Sequence, residues 1–336
     1  LNSKQEDKVS TSKTIRRTIP FIAWLIMLSL VPVLFAQKEK DKDNPAALSN
    51  APAVLWQQPS DIASRDLFLG PGGEAMKPDL SNVTFEKEDA GGYSVKYQVR
   101  DGAGRKWVVK VGNEARPETA AVRLLWAVGY ATEINYLAPC VHIKGAPKPR
   151  KNVERCEGDG FADVRFEARP DNVKRADIWE WKNNPFAGTK ELNGLAVLMA
   201  LLNNWDLKND NNKILLVRGE DGTTEQRYII SDLGATFGKT GGAISHSRNE
   251  PEKYVKTKFV DRVRGDRVEF AFSGKQGELL ERVTVEQAKW IGGLLAQLSD
   301  QQLQDAFRAA NFEPEEIQML TKEVRARIDQ LVNLPG

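Results

Sequence analysis

Apolar and polar residues alternate over three successive stretches, VTFEKE (83–88), YSVKYQV (93–99) and KWVVKV (106–111), a pattern that predicts three strands. The turn signals EDAGG and DGAG lie between them, so the strands predict a small antiparallel sheet. From Pro117 the period changes. Ala121, Leu124, Leu125 and Val128 fall on one helical face, with Pro117 in the first turn and Gly129 as the stop. DVRFEAR (163–169) predicts another strand, and DIWEWKNNPF (177–186) a connection packed by Trp179 and Trp181. ELNGLAVLMALLNN (191–204) is apolar nearly all round, which predicts a buried helix. KILLVR (213–218) and RYIIS (227–231) read as short buried strands about the turn EDGTTEQ. Residues 239–256 are polar and Gly-rich and predict a mobile loop. Two or three amphipathic helices close the chain, over 285–298, 299–310 and 314–332; Ser299 caps the second stretch, and Pro314 opens the third with Glu315 and Glu316 in its first turn. Their charge runs predict solvated faces.

The amino-terminal pattern is different in kind. A polar stretch ending in Lys13, Arg16 and Arg17 is followed by Ile19 to Ala36 without a charge. That layout predicts an exported chain, with 1–36 either a cleaved signal peptide or a membrane anchor. Residues 37–54 are charged, then rich in Pro and Ala, and predict a flexible linker. Residues 55–82 carry GPGGE and scattered apolar positions, read as irregular chain packed on the domain.

With 336 residues, 41% apolar and 28% charged, the chain has room for one two-lobed domain plus extensions. A net charge of +2 names no partner, and no basic stretch interleaves with aromatics, so nucleic acid finds no support. Membrane contact is expected only through an uncleaved N-terminal segment. The two cysteines, Cys140 and Cys156, flank a loop rich in Lys, Pro and Arg, and in an exported chain they predict a disulfide. His142 and His246 are the only histidines and supply no metal-ligand spacing.

Candidate chemistry concentrates between Asn203 and Gly234. Asp206, Lys208 and Asn211 stand at the spacing D-x-K-x-x-N, and Asp232 follows at a predicted strand end. Phosphoryl transfer from ATP needs such a set: one carboxylate for the proton of the attacking hydroxyl, and a carboxylate plus an amide for magnesium on the phosphates. Upstream, Lys110 shares a strand face with Val108, opposite Val109 and Val111; it reads either as an edge-strand lysine pointing to solvent or as a charge among apolar neighbours that wants an anion. Glu118, or in second place Glu114, supplies one from the following helix. A Glu in a first helical turn also suits the helix dipole by itself. Gly91 and Gly92 by themselves read as an ordinary hairpin turn.

On these residues the sequence resembles the protein-kinase-like superfamily. WDLKNDN is similar to the kinase catalytic loop, SDLG to the metal-binding segment, and SDLGATFGK to the atypical secretory-pathway (Golgi and spore-coat) kinases and the phosphoinositide kinases. Trp205 stands where the catalytic-loop Arg is usual, Leu233 replaces Phe, and no A-P-E follows. The resemblance implies an α+β, two-lobed kinase-like fold over 55–336. Its small antiparallel-sheet N-lobe would run to about 175 and its mainly helical C-lobe from about 176. It implies ATP with magnesium or manganese as cofactors, Asp206 and Lys208 as catalytic residues, and Asn211 and Asp232 on the metal. Gly91, Gly92, Lys110 and Glu118 would serve the nucleotide. The expected function is an exported phosphotransferase acting on a protein, lipid or sugar. The alternatives are a pseudokinase serving as a nucleotide- or partner-binding module, and an exported structural protein without catalysis.

Overall fold

The computed structural model describes residues 50–89, 91–242 and 245–335. The segment read as a signal or anchor, and all of the linker before residue 50, lie outside the described residues. Ala53–Val54, the end of that linker by composition, forms a short strand, β1. Among the described residues no helix is long and apolar enough to cross a membrane.

The chain is α+β, with a β-rich first part and a helical last part. The three alternating stretches form β2 (Val83–Asp89), β3 (Val95–Arg100) and β4 (Lys106–Val111), antiparallel in that order. Helix α1 (Ala115–Ala127) follows and stops at Gly129, whose φ of 97° suits glycine. Then come β5 (Asn135–Val141), β6 (Ile143–Lys144), β7 (Arg155–Cys156) and β8 (Gly160–Ala168). The sheet runs β5-β8-β4-β3-β2-β6, with β7 on β8, and is thus larger than three strands. Cys140 and Cys156 form a disulfide that joins β5 to β7.

The pleat gives this sheet two unlike faces. Tyr97, Val99, Trp107, Val109, Val111 and Phe166 build an apolar core on one side. The opposite face carries two cross-strand rows, Lys96–Lys110–Arg165 and Gln98–Val108–Glu167.

A second sheet, β1-β11-β10-β9, begins with β9 (Val173–Asp177) and contains β10 (Asn212–Arg218) and β11 (Thr224–Ile230). Between β9 and β10 lies α2 (Lys190–Leu201), buried on almost every side as its composition predicts. Thr189 caps it by accepting from the Leu192 amide at 3.2 Å. The loop expected to be mobile instead contains a short helix, α3 (Pro251–Tyr254), whose Tyr254 is fully buried and donates to the Leu201 carbonyl at 2.6 Å. A hairpin, β12 (Val260–Arg264) and β13 (Arg267–Phe270), follows. The last three helices are α4 (Val285–Leu295), α5 (Asp300–Arg308) and α6 (Pro314–Val332).

Their apolar faces make the second core with α2, with Leu124 and Leu125 of α1 and with Val128, which caps it. The charges of α6 are not all solvated. Arg327 is fully buried and donates to the carbonyls of Leu201 and Tyr254, to Asn203 Oδ1 and to Thr257 Oγ1. It therefore clamps the end of α2, where the candidate loop begins. Leu55, Ile62 and Leu67 of the irregular segment join the same core, and Gln302 of α5 donates to the Ile62 and Arg65 carbonyls.

Candidate active site

Asp206 is delivered by a turn that the sequence encodes at Asn203. Its φ of 55° is a left-handed conformation that asparagine tolerates, and it reverses the chain after α2. Asn203 Nδ2 donates to the Gly238 carbonyl at 2.8 Å, which joins the loop to the segment after Asp232. Asn211 Nδ2 donates to the Asp206 carbonyl at 2.7 Å, and the Ser231 amide to the Asn211 carbonyl at 2.7 Å. These two bonds set the 206–211 loop beside Asp232.

Both oxygens of Asp206 carry ion pairs. Lys208 Nζ lies 2.8 Å from Oδ2, and Lys275 Nζ lies 2.8 Å from Oδ1. Lys275 comes from the segment between β13 and α4, whose backbone is fastened to the 206–211 loop. The Lys275 amide donates to the Trp205 carbonyl at 2.9 Å, and Gln276 Nε2 to the Leu207 carbonyl at 2.6 Å. Trp205, in the place of the expected arginine, is buried and donates to the Ser247 carbonyl at 2.9 Å, while His246 packs on its ring at 3.6 Å.

Lys110 stands on the polar face of the first sheet, 2% exposed, with its Nζ 2.6 Å from Glu118 Oε2 of α1. Glu114 Oε2 is farther away, at 3.6 Å, and is taken up by Ser94 Oγ at 2.5 Å. Arg248 also pairs with Glu114. Across the cleft, Asp232 Oδ1 is 3.3 Å from Lys110 Nζ. Burial pulls the Lys110 ammonium down, but the Glu118 and Asp232 carboxylates outweigh it and leave Lys110 above the ordinary lysine range. Burial likewise pushes Asp232 up, and Lys110 with the Gly234 amide brings it below the ordinary carboxylate range. Gly234 is required where it stands, because a Cβ there would meet Glu114 Cβ at 2.6 Å.

Gly91 and Gly92 lie in the β2–β3 turn, where the Gly91 amide donates to Asp89 Oδ1 at 3.1 Å. They share one cavity of about 1170 Å³ with Lys110, Asp206, Lys208, Asn211 and Asp232. Glu118 sits behind Lys110 and does not line it. The structure therefore gathers every residue proposed from the sequence, seven at the surface of one cleft and Glu118 beneath it.

Several cleft residues escape a reading of the sequence alone. Arg165 pairs with Glu118 at 3.3 Å and with Glu167 at 2.9 Å, and Arg175 and Arg169 also reach Glu167. Glu133 pairs with Arg175 and accepts from Ser231 Oγ at 2.8 Å. Burial, together with the Glu167 carboxylate, pushes Glu133 up to about 7 against the pull of Arg175, Arg169 and Arg165. The only signal for this network is the alternation in DVRFEAR, which puts Arg165 and Glu167 on the Lys110 face.

Among the described residues no three His, Cys, Asp or Glu side chains cluster to hold a metal by themselves. A metal shared with phosphate oxygens needs fewer protein ligands. The contacts of Asp232 to Lys110 and Gly234 fall on Oδ1, leaving Oδ2 without a partner among the described residues. Asn211 uses its Nδ2 and keeps Oδ1. A carboxylate oxygen and an amide oxygen are a donor set that fits magnesium or manganese.

No family model matches the sequence, and no curated protein matches it. Among solved structures the chain is similar to the Helicobacter pylori proinflammatory kinase CtkA, at 13% identity and a TM-score of 0.47, over 76% of this chain and 97% of that one. It is also similar to the Golgi casein kinase, at 10% identity and a TM-score of 0.38, over 81% and 76% of the two chains. A third is the Rio2 kinase–ADP/Mg²⁺–phosphoaspartate complex from Chaetomium thermophilum, at 14% identity and a TM-score of 0.31, over 76% and 74%.

Proposed function

We propose that the protein is an exported phosphotransferase that uses ATP with magnesium or manganese and delivers the phosphoryl group to a hydroxyl of a protein, lipid or sugar. The observation that carries this reading is Lys110: a buried ammonium held by Glu118 at 2.6 Å on one side and reaching Asp232 at 3.3 Å on the other, at the wall of an open cleft. An ammonium fixed in that way is an electrostatic partner for phosphates that needs no reorganisation on binding.

In this reading Asp232 and Asn211 hold the metal, which neutralises charge on the phosphates when bound. Lys110 binds the phosphates, and the Gly91–Gly92 turn covers them. Asp206 accepts the proton of the acceptor hydroxyl, while Lys208 moves from Asp206 Oδ2 onto the transferred phosphoryl group. The kinase-like domain is taken as 55–336, with β1 attached to its second sheet. The disulfide between Cys140 and Cys156 supports export, since such bonds persist in oxidising compartments.

A second reading, a binding module without turnover, is favoured by one feature: both oxygens of Asp206 are occupied by lysines. A thermal shift with ATP and Mg²⁺ or Mn²⁺ tests the binding that both readings require. A ligand at 100 times its dissociation constant should stabilise by about 2.7 kcal/mol. Lys110→Met and Asp232→Ala should each reduce that shift. If both variants keep it unchanged, the cleft assignment is wrong. Binding with no transfer or hydrolysis of ATP would favour the module.

A further inference from the structure

A purine held in a cleft is normally sandwiched by apolar side chains, because its faces are flat and poorly hydrated. An apolar pocket that shares Arg169 and Arg175 with this cleft, lined by Ala168, Val173, Leu215 and Val217, holds only about 80 Å³. The described residues that line the cavity of about 1170 Å³ form no such slot. Among them Val108 is the one aliphatic side chain of the lining, and the aromatics Tyr93 and Trp205 already pack against Lys151, His246 and Arg248. Nine Lys and Arg side chains line the cavity against six Asp and Glu, so the surplus among the described residues is cationic.

The surplus has a definite place. Lys96 on β3 lies directly opposite Lys110, which lies opposite Arg165, so three cations form one cross-strand row. Like charges so placed repel unless anions intervene. Glu118 serves both Lys110 and Arg165. Lys96 has no carboxylate within ion-pair distance among the described residues, although Asp89 stands opposite it on β2 and its charge reaches Asp232. From the other side of the cleft comes Lys213 of β10, whose ammonium donates to the Asp210 carbonyl at 2.6 Å and pairs with no carboxylate among the described residues. Burial first, and then Arg175, hold Lys213 below the ordinary lysine range against the pull of Asp210 and Glu133, and Lys96 adds a smaller repulsion. Both ammonium groups line the one cavity, and neither has a carboxylate within ion-pair distance among the described residues.

We propose that the Lys96–Lys213 end of the cleft is a phosphate subsite and not a base slot, so that the donor is recognised as a polyphosphate chain: inorganic tripolyphosphate binds there as a nucleoside triphosphate does, and the base is not read. This rests on the phosphotransferase reading above and narrows its donor. With tripolyphosphate, the bond broken is that between the terminal phosphorus and its bridging oxygen. The bond formed joins that phosphorus to the acceptor hydroxyl oxygen, the hydroxyl proton passes to Asp206, and pyrophosphate leaves with the electron pair.

The test is calorimetric titration of the purified, disulfide-bonded protein in Mn²⁺ with ATP, GTP, sodium tripolyphosphate and adenosine, followed by competition between ATP and tripolyphosphate. The expected result is that ATP, GTP and tripolyphosphate bind within about tenfold of one another and compete, while adenosine does not bind. Lys96→Gln and Lys213→Gln should each weaken tripolyphosphate by about tenfold. Tight ATP binding without tripolyphosphate binding, or tripolyphosphate binding that ATP does not displace, overturns the subsite and leaves the phosphotransferase reading standing. If none of the four ligands binds, both fail. The wild-type competition decides the matter even where a variant does not fold.

Discussion

Lys275 Nζ lies 2.8 Å from Asp206 Oδ1, an ion pair between two segments far apart in the sequence. Gln276, with a φ of 53°, and Gly274, where a Cβ would come within 2.8 Å of Trp205 Cα, are the local devices that bring this lysine to the loop. Lys275 is half-exposed, so the pair itself contributes little to stability. Its consequence is geometric: Asp206 is held from both sides. Under the phosphotransferase reading, Lys275→Met should lower turnover at saturating ATP by about 10- to 100-fold, with ATP affinity changed less than about threefold. Equal losses in both quantities would mean that Lys275 only supports the fold.

Glu118 carries more than its ion pair with Lys110, because its other oxygen faces Arg165 at 3.3 Å. Glu118→Gln would weaken the pairing of two buried cations at once, although Asp232 and Glu114 still face Lys110, and Glu167 and Glu133 still face Arg165. It should destabilise, by less than the about 3 to 5 kcal/mol of a buried charge left without any partner. Lys110→Met leaves Glu118 still paired with Arg165 and should cost less. Denaturant unfolding of both variants checks the order; a milder effect for Glu118→Gln would contradict it.

The sequence exposes the parts of this site that are local and conceals those that are assembled. Alternation about Lys110, the helical period after Pro117 and the spacing of Asp206, Lys208 and Asn211 each depend on a few adjacent residues, and each appears where the pattern puts it. Arg327 and Lys275 give no such signal. Both sit among ordinary surface-like charges, and only the tertiary fold buries one against the end of α2 and turns the other onto Asp206. The β12–β13 hairpin escapes notice for a related reason: its strands are rich in arginine, and only Val268 is buried. β5 is hidden by Pro139, which an edge strand accommodates.

Glu133 makes stability depend on pH in an unusual direction. Its carboxyl is pushed up to about 7 from an ordinary 4.5, so the folded protein holds a proton that the unfolded chain has released. Folding stability from this group is therefore present below about pH 4.5 and is lost as pH rises to about 7, by at most about 3 kcal/mol. Glu167, held low by its arginines despite burial, acts oppositely and costs stability only as pH falls below 4.5. Glu133→Gln should flatten the decline between pH 5 and 7. Parallel profiles for wild type and variant would contradict the assignment.

The disulfide between Cys140 and Cys156 closes a loop of 16 residues' separation. Replacing both by serine should lower stability by about 3 kcal/mol in the chain-entropy model. Because it joins β5 and β7 at the edge of the sheet away from the cleft, nucleotide affinity should change less than about twofold. Unfolding curves and ATP titration of the double variant separate the two effects, and a large loss of affinity would show that the edge is coupled to the site.

Asp206 and Asp232 belong to one cleft but to different contacts, and their losses should differ in kind. Asp206 touches Lys208 and Lys275, while Asp232 touches Lys110 through Oδ1 and has no partner for Oδ2 among the described residues. If Asp206 is the base for the acceptor hydroxyl, Asp206→Asn should keep metal-dependent ATP binding and lower the chemical rate by about 10² to 10⁴, roughly 3 to 5 kcal/mol of barrier. Under the phosphotransferase reading, Asp232→Asn should weaken ATP binding in the presence of Mg²⁺ as well as the rate, since it removes a charged metal ligand and leaves Lys110 with Glu118 and the more distant Glu114. ATP affinity and phosphotransfer, or slow ATP hydrolysis, measured on both variants distinguish the roles. Full turnover by Asp206→Asn with the fold intact would remove Asp206 as the base and turn attention to Asp210, which lines the same cavity.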